Sequence, residues 1–210
     1  MRRLGALYGG SSAHHRGLHE PKYARWLSRI IYLPELAGSD LSDLDGVLVP
    51  ERLHRRLLER SRGQLAEVLE RGATVVLFGD QSVYGACPDG WLPGVAWEHR
   101  PTNFWWWLDP EAHSGIVAAR PEHSLFRRIS LADATWHHHG VFRPPPGADT
   151  VIATTDGAAV LYVDRVSSPG TLVVCSLDPL SHYGSYFMPA TERFLDGFLP
   201  WLAEDLAEGP

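Results

Sequence analysis

An aspartate and a histidine four residues apart, Asp178 and His182, follow an apolar run at residues 171–177. Such a run predicts a buried strand, and polar groups beyond the carboxyl end of a strand in an open α/β sheet lie where these folds bind ligands. A carboxylate can hold an imidazole in one tautomer as a general acid or base, or the two can ligate a metal. In a structural alternative, Asp178 bonds loop amides and His182 fixes the following turn.

Two other apolar runs are followed by polar residues that we expect at the same edge of the sheet. Asp80 and Gln81 follow one run, and a glycine- and serine-rich turn leads to His14 and His15 after the other. Amides of this turn could bind an anion, although it lacks the glycine spacing of nucleotide-binding loops. The candidate catalytic residues are Asp178, His182 and Asp80, and the candidate ligand-binding residues are His14, His15, Gly10, Ser11, Gln81 and His138.

Three consecutive histidines, His137, His138 and His139, follow a tryptophan. In extended backbone His137 and His139 share one face and His138 takes the other. Two histidines on one face could hold a divalent metal ion, so His137 and His139 are candidate metal ligands, although no helical metal-binding motif accompanies them. The alternative is that His138 or His139 lines a pocket as a hydrogen-bond donor. The sequence requires no cofactor and leaves a divalent metal open.

The three tryptophans Trp105, Trp106 and Trp107 allow two interpretations. Their indole faces could stack on sugar rings, but large aromatic residues more often pack in cores and interfaces. The second interpretation gives an alternative function, a non-catalytic assembly module in which residues 97–107 form the interface of a homodimer.

The elements that would position these residues alternate between strands and helices. Apolar runs predict strands at residues 4–8, 30–33, 46–49, 74–78 and 171–177, and helical spacing predicts helices at residues 20–27, 53–69 and 191–202. Residues 149–154 and 158–163, around an Asp-Gly turn, predict a hairpin at one edge, and residues 178–188 predict a loop. The pattern predicts one domain over residues 1–210, a flavodoxin-like doubly wound, mostly parallel α/β sheet with a β-rich elaboration in the second half.

Composition limits the classes of partner. The chain has 210 residues and a formal net charge of -6, and it lacks the basic clusters that nucleic-acid binding requires. Its two cysteines give no disulfide framework, and no apolar run has the length of a signal-peptide core or a membrane span. We therefore expect a cytoplasmic protein whose partner is a small molecule rather than a nucleic acid or a membrane.

The order of these segments, together with residues 122–140 and 171–184, resembles the class I glutamine amidotransferase-like superfamily, and within it the ThuA-like (trehalose-utilisation-like) proteins. The resemblance covers most of the chain. It implies a flavodoxin-like fold, a pocket at the carboxyl ends of the strands, and a role in saccharide metabolism.

The chain departs from catalytic amidotransferases at the residues that carry their chemistry. Those enzymes place a cysteine on a sharp strand-to-helix turn, where amides can bind an oxyanion. Here the matching strand is followed by Gly79 and Asp80, Cys87 comes later and is followed by a proline, and Asp178 stands where the family has a histidine. We therefore expect no thiol glutaminase. The sequence predicts a ThuA-like protein that binds a small polar metabolite, for example a sugar derivative, with acid/base or metal-assisted chemistry if it is an enzyme.

Overall fold

A computed structural model describes residues 1–79, 92, 95–102, 113–186 and 188–206, and within them ten strands form one sheet. The strands are β1 (Leu4–Tyr8), β2 (Leu27–Tyr32), β3 (Gly46–Val49), β4 (Thr74–Phe78), β5 (Trp97–Glu98), β6 (Ile116–Ala118), β7 (Val141–Phe142), β8 (Asp149–Thr154), β9 (Ala159–Asp164) and β10 (Thr171–Cys175). The helices are α1 (Ser12–His19), α2 (Pro21–Ala24), α3 (Arg55–Arg60), α4 (Arg62–Glu70), α5 (Pro179–Gly184) and α6 (Pro189–Pro200).

The sheet has a parallel half and an antiparallel half. Its order begins β2-β1-β3-β4-β10, and every neighbouring pair in this part is parallel. Strand β9 continues the sheet antiparallel to β10, and the hairpin of β8 and β9 turns at Gly157, whose φ of 91° suits a tight turn. The α/β class and the hairpin predicted from the sequence are confirmed. The predicted edge position of the hairpin is wrong, because β8 also pairs with β6 and β9 also pairs with β7.

Apolar side chains of the parallel strands pack on both faces of the sheet. In β4, Val76 and Phe78 point into a core that contains residues of α5 and α6, whereas Val75 and Leu77 point into a second core that contains residues of α3 and α4. Helices therefore cover both faces, which explains why the strand is apolar at consecutive positions rather than at alternate ones.

Several helices differ from the sequence prediction. Helix α1 begins directly after the glycine-serine turn, where the Ser11 side chain accepts a hydrogen bond from the His14 amide and caps the helix. The predicted loop at residues 178–188 is wrong in part because it contains α5, which starts at Pro179, a residue suited to the first helical position. The helix predicted over residues 53–69 is two helices, since the backbone at Ser61 is not helical.

The ends of two other elements also differ. The predicted helix at residues 20–27 ends at Ala24, and the second strand runs over Leu27–Tyr32 rather than residues 30–33. Within the described residues, every helix falls short of the length and apolar character needed to cross a bilayer.

Candidate functional site

A completely buried carboxylate, Asp178, lies between the carboxyl end of β10 and the start of α5. We call it and the side chains around it the Asp178 cluster, which consists of Asp178, Arg52, Trp136, His137, His139 and His182. Four of them lie within bonding distance of the carboxylate. Arg52 Nη2 and His139 Nε2 lie 2.9 and 3.3 Å from Oδ2. Trp136 Nε1 and His182 Nε2 lie 3.3 and 3.0 Å from Oδ1.

These contacts give Asp178 an orienting role. Burial by itself raises the pKa of a carboxyl group, but hydrogen bonds from His139 and His182 outweigh burial and hold the pKa of Asp178 well below its usual range. The ionised carboxylate has about four acceptor sites, and four donors face it. It therefore holds its neighbours in position and is poorly placed to exchange a proton itself.

The histidine triplet places two imidazoles in the cluster. His137 Nε2 lies 3.1 Å from His182 Nε2, and the two rings are perpendicular, with centroids 4.7 Å apart. The ring of His139 lies 5.2 Å from that of His137, so these two imidazoles lie on the same side, as predicted for His137 and His139. Burial lowers the pKa of His137 to about 4, and its ring is therefore neutral at pH 7.

His138 lies apart from the contacts around Asp178. Its backbone amide donates to Thr102 Oγ1 and its carbonyl accepts from the Thr102 amide. Its side chain is buried, and burial lowers its pKa to about 4. Nothing in the described residues brings it to the carboxylate.

The segment after β3 supplies two residues that the sequence analysis missed. Arg52 has a φ of 57°, which is uncommon for a residue other than glycine, and its side chain is 37% exposed, so it is the solvent-facing member of the cluster. Its neighbour Glu51 is completely buried, and Oε1 accepts a hydrogen bond from the Ser181 amide. Oε2 has no hydrogen-bond partner among the described residues.

The carboxyl group of Glu51 has a pKa that is shifted into the neutral range. Burial, followed by repulsion from the negative charge of Asp178, raises its pKa from 4.5 to about 7. A carboxyl group with such a pKa is protonated in about half of the molecules at neutral pH. Perturbed acids of this kind are enriched at functional sites.

Gly79, directly after β4, makes room for both carboxylates. Its φ is 64°, and a Cβ atom built on it would lie 2.4 Å from Glu51 Cβ and 3.4 Å from Asp178 Cβ. Its amide donates to the Cys175 carbonyl at 2.7 Å. Segments that follow β3, β4 and β10 thus meet at one edge of the sheet. The candidates Asp80 and Gln81 come next in the chain and lie outside the described residues, as do Cys87, Trp105, Trp106 and Trp107.

Of the two candidate histidines that follow the first loop, His14 is buried and His15 is exposed. His14 is buried, with Nε2 3.4 Å from Ser181 Oγ and 3.8 Å from Glu51 Oε1, and burial, followed by the positive charge of Arg52, lowers its pKa to about 4. Because the serine and the glutamate approach the same nitrogen, these residues do not form a serine-histidine-acid triad, in which they contact opposite nitrogens.

His15 lies on the surface of α1. Its ring stacks on that of His19 with centroids 4.1 Å apart. Gly10 is exposed with a φ of 91°, and Ser11 caps the helix. His14 thus contacts the carboxyl edge of β3, β4 and β10 through Ser181 and Glu51. Gly10, Ser11 and His15 lie on the exposed side of the same loop.

The missed residues had one usable signal in the sequence. Glu51 and Arg52 follow the apolar run of β3 and its proline in the same way that Asp178 follows β10, so the rule about strand ends applies to them equally. Trp136 had no such signal, because its bond to Asp178 joins residues 42 positions apart.

The thiol of Cys175 is not placed to act as a nucleophile. The side chain is completely buried in β10, and burial raises the pKa of the thiol far above neutral pH. A thiolate is therefore not formed there.

Comparison with known proteins shows similarity of fold. No family model and no curated protein matches the chain. Among solved structures, the cytoplasmic protein STM1381 of Salmonella typhimurium LT2 is 10% identical, with a TM-score of 0.57 over 97% of this chain and 100% of that one. A glutamine amidotransferase of Thermotoga maritima is 11% identical, with a TM-score of 0.55 over 97% of this chain and 99% of that one.

The same fold occurs within a larger enzyme. The exo-β-1,4-mannosidase Op5Man5 of an Opitutaceae bacterium, strain TAV5, is 11% identical with a TM-score of 0.57, and the match covers 97% of this chain but 36% of the mannosidase. The chain therefore spans about a third of that enzyme. These likenesses show a glutamine amidotransferase-like fold.

Proposed function

We propose that this protein binds a small polar metabolite at the carboxyl edge of β3, β4 and β10 and exchanges a proton with it. The observation that carries the proposal is the saturation of the buried Asp178 carboxylate by side-chain donors from three separate parts of the chain. Burying this many polar groups costs free energy. Such a cost is typical of a site whose side chains are held for function.

The side chains have distinct roles in the proposal. Asp178 is a positioning residue that orients the imidazole rings of His139 and His182 through the contacts to their Nε2 atoms. His182, with a tenth of its side chain exposed, is the proton carrier. Arg52 is the exposed cation that attracts the polar groups of a ligand.

We further propose a sugar derivative as the ligand and a ThuA-like relationship, as the resemblance in the sequence implies. The order of the five parallel strands and the helices on both faces support a flavodoxin-like doubly wound arrangement. We propose a cytoplasmic location on the composition argument given above. The assembly-module alternative depends on tryptophans outside the described residues and stays a prediction.

Isothermal titration calorimetry with a panel of monosaccharides, sugar acids and sugar phosphates tests the proposal. We expect a panel member to bind the wild-type chain and to bind at least about tenfold more weakly to Asp178→Asn and His182→Gln, because a hydrogen bond to a charged group contributes roughly 1.5–3 kcal/mol. Circular dichroism establishes that each variant is folded.

Asp156→Asn is the matched control, since Asp156 is an exposed aspartate in the turn between β8 and β9. It should bind the same panel member as tightly as the wild-type chain does. Unchanged affinity in both Asp178→Asn and His182→Gln would refute the proposal.

A further inference from the structure

We propose that His137, His182 and Asp178 bind a divalent transition-metal ion. The proposal deepens the function proposed above, on which its catalytic meaning rests, whereas binding of the ion is testable by itself. The three residues each present one ligand atom, and these atoms lie within 4.8 Å of one another. All three residues are buried.

The distances suit an ion held between the three groups. His182 Nε2 is 3.1 Å from His137 Nε2 and 3.0 Å from Asp178 Oδ1. Two nitrogen ligands of a tetrahedral zinc ion, each at about 2.0–2.1 Å, are roughly 3.3 Å apart. These two separations are therefore close to the separation of zinc ligands, and the third pair of ligand atoms lies within 4.8 Å. A small shift of the rings would admit the ion.

One hydrogen on His182 Nε2 can serve only one of its two neighbours. This nitrogen faces both Asp178 Oδ1 and His137 Nε2, and a ring nitrogen carries at most one hydrogen. A hydrogen on His182 Nε2 that points to Asp178 Oδ1 is turned away from His137 Nε2. If His137 Nε2 is the donor instead, His182 Nε2 turns a lone pair toward the carboxylate. A metal ion accepts a lone pair from all three atoms at once.

The groups around Asp178 would orient it as a metal ligand. Arg52 and His139 bond to Oδ2, which directs Oδ1 toward the two imidazoles. Trp136 Nε1 takes a second site on Oδ1 at 3.3 Å. Hydrogen bonds of this kind commonly fix the ligands of metal sites, and their loss costs roughly 10–100-fold in metal affinity.

The donor set indicates the class of ion. Two imidazoles and one carboxylate suit Zn²⁺ or Fe²⁺ rather than Mg²⁺ or Ca²⁺, which prefer oxygen ligands alone. Three protein ligands leave a coordination position for water, as in catalytic zinc sites. The ion would lower the pKa of such a water, which would act as the base in place of a free imidazole.

The test uses the full-length chain after treatment with EDTA and dialysis. Zn²⁺ is titrated by calorimetry, and Co²⁺ is titrated by visible absorption, whose d–d bands report four- or five-fold coordination. We expect one ion per chain. His137→Ala, His182→Ala and Asp178→Asn should each weaken Zn²⁺ binding by about a hundredfold or more, since even outer partners contribute roughly 10–100-fold.

Two controls separate this site from surface histidines. His54→Ala removes an exposed histidine before α3 and should leave the affinity unchanged. The double variant His15→Ala, His19→Ala removes the stacked surface pair, which has the four-residue spacing of a helical chelate. It should keep the ion. If a variant of the cluster fails to fold, the histidine-ring ¹⁵N spectrum of the wild-type chain decides, because Zn²⁺ must then shift Nε2 of His137 and His182 and leave His54 unchanged.

Three outcomes would overturn the metal proposal: no binding of Zn²⁺ or Co²⁺, full retention in the folded His137 and His182 variants, or loss in the surface double variant alone. Calorimetry with the sugar panel in the presence of EDTA keeps the two proposals apart. Binding of a panel member that Asp178→Asn abolishes, in a protein that binds no Zn²⁺, would overturn only the metal inference.

Discussion

Replacing the buried Glu51 by glutamine should stabilise the protein at alkaline pH and leave it nearly unchanged at acidic pH. Burial, followed by the charge of Asp178, raises the pKa of Glu51 from 4.5 to about 7. A carboxyl group whose pKa is raised in the folded state adds to the free energy of unfolding. This contribution is complete below pH 4.5 and is lost as the pH rises through 7. Glutamine resembles the protonated acid in shape but does not ionise, so its contribution does not change with pH.

The magnitude follows from the interval between the two pKa values. At about 1.4 kcal/mol per pH unit, an interval from 4.5 to about 7 corresponds to about 3 kcal/mol, most of which falls between pH 5 and pH 8. Glu51→Gln should therefore gain roughly 2 to 3 kcal/mol over the wild-type chain on going from pH 5 to pH 8. Urea denaturation at the two pH values measures this difference.

The contributions of other titrating groups to stability largely cancel when the variant is compared with the wild-type chain. Asp178, His14 and Arg52 are the charged or titratable neighbours whose influence reaches Glu51 or its contacts, and they are present in both proteins. Glu70→Gln, at an exposed position at the end of α4, makes the same chemical change outside the site and should alter stability by less than about 0.5 kcal/mol at both pH values. A Glu51→Gln variant that is no more stable relative to wild type at pH 8 than at pH 5 would refute the reasoning.

Two further predictions concern the packing that holds the cluster. Gly79→Ala should lower the free energy of unfolding by about 3 kcal/mol or more, because its φ is 64° and the new Cβ would lie 2.4 Å from Glu51 Cβ. Gly63→Ala, on an open part of α4, should instead raise it by about 0.5 kcal/mol, and urea midpoints that rank the two variants the other way would contradict this account. Trp136→Phe should cost at least about 2 kcal/mol, because it leaves a gap and removes a donor from the buried Asp178; a loss below about 0.5 kcal/mol in the same assay would show that this bond is unimportant.

The parallel strands were predictable because each one is apolar at consecutive positions. Runs that end at Val49 and Phe78 are too short and too rich in β-branched residues for helices, and burial on both faces leaves no polar position between them. The same logic predicted where Asp178 and His182 would lie, since polar residues after such strands must emerge at one edge.

The short helices were not predictable from local pattern, because tertiary contacts stabilise them. A Cβ on Gly184 of α5 would lie 2.1 Å from the Ala13 carbonyl oxygen of α1, and one on Gly17 would lie 2.9 Å from Leu180 Cδ2. The two helices pack closely through these glycines, and helices of this length are marginal in isolation. Trp136 was missed for a similar reason, since its bond to Asp178 joins residues distant in sequence. Arg52 was predictable in principle, because it follows β3 as Asp178 follows β10.

A histidine-ring ¹H–¹⁵N spectrum, recorded before and after the tightest-binding member of the sugar panel is added, shows whether the ligand binds beside Asp178. We expect the ring resonances of His182 and His139 to shift with the same dissociation constant that calorimetry gives, while those of the exposed His54 stay unchanged. Saturating ligand that leaves His182 and His139 unshifted would contradict the assignment of this edge as the binding site.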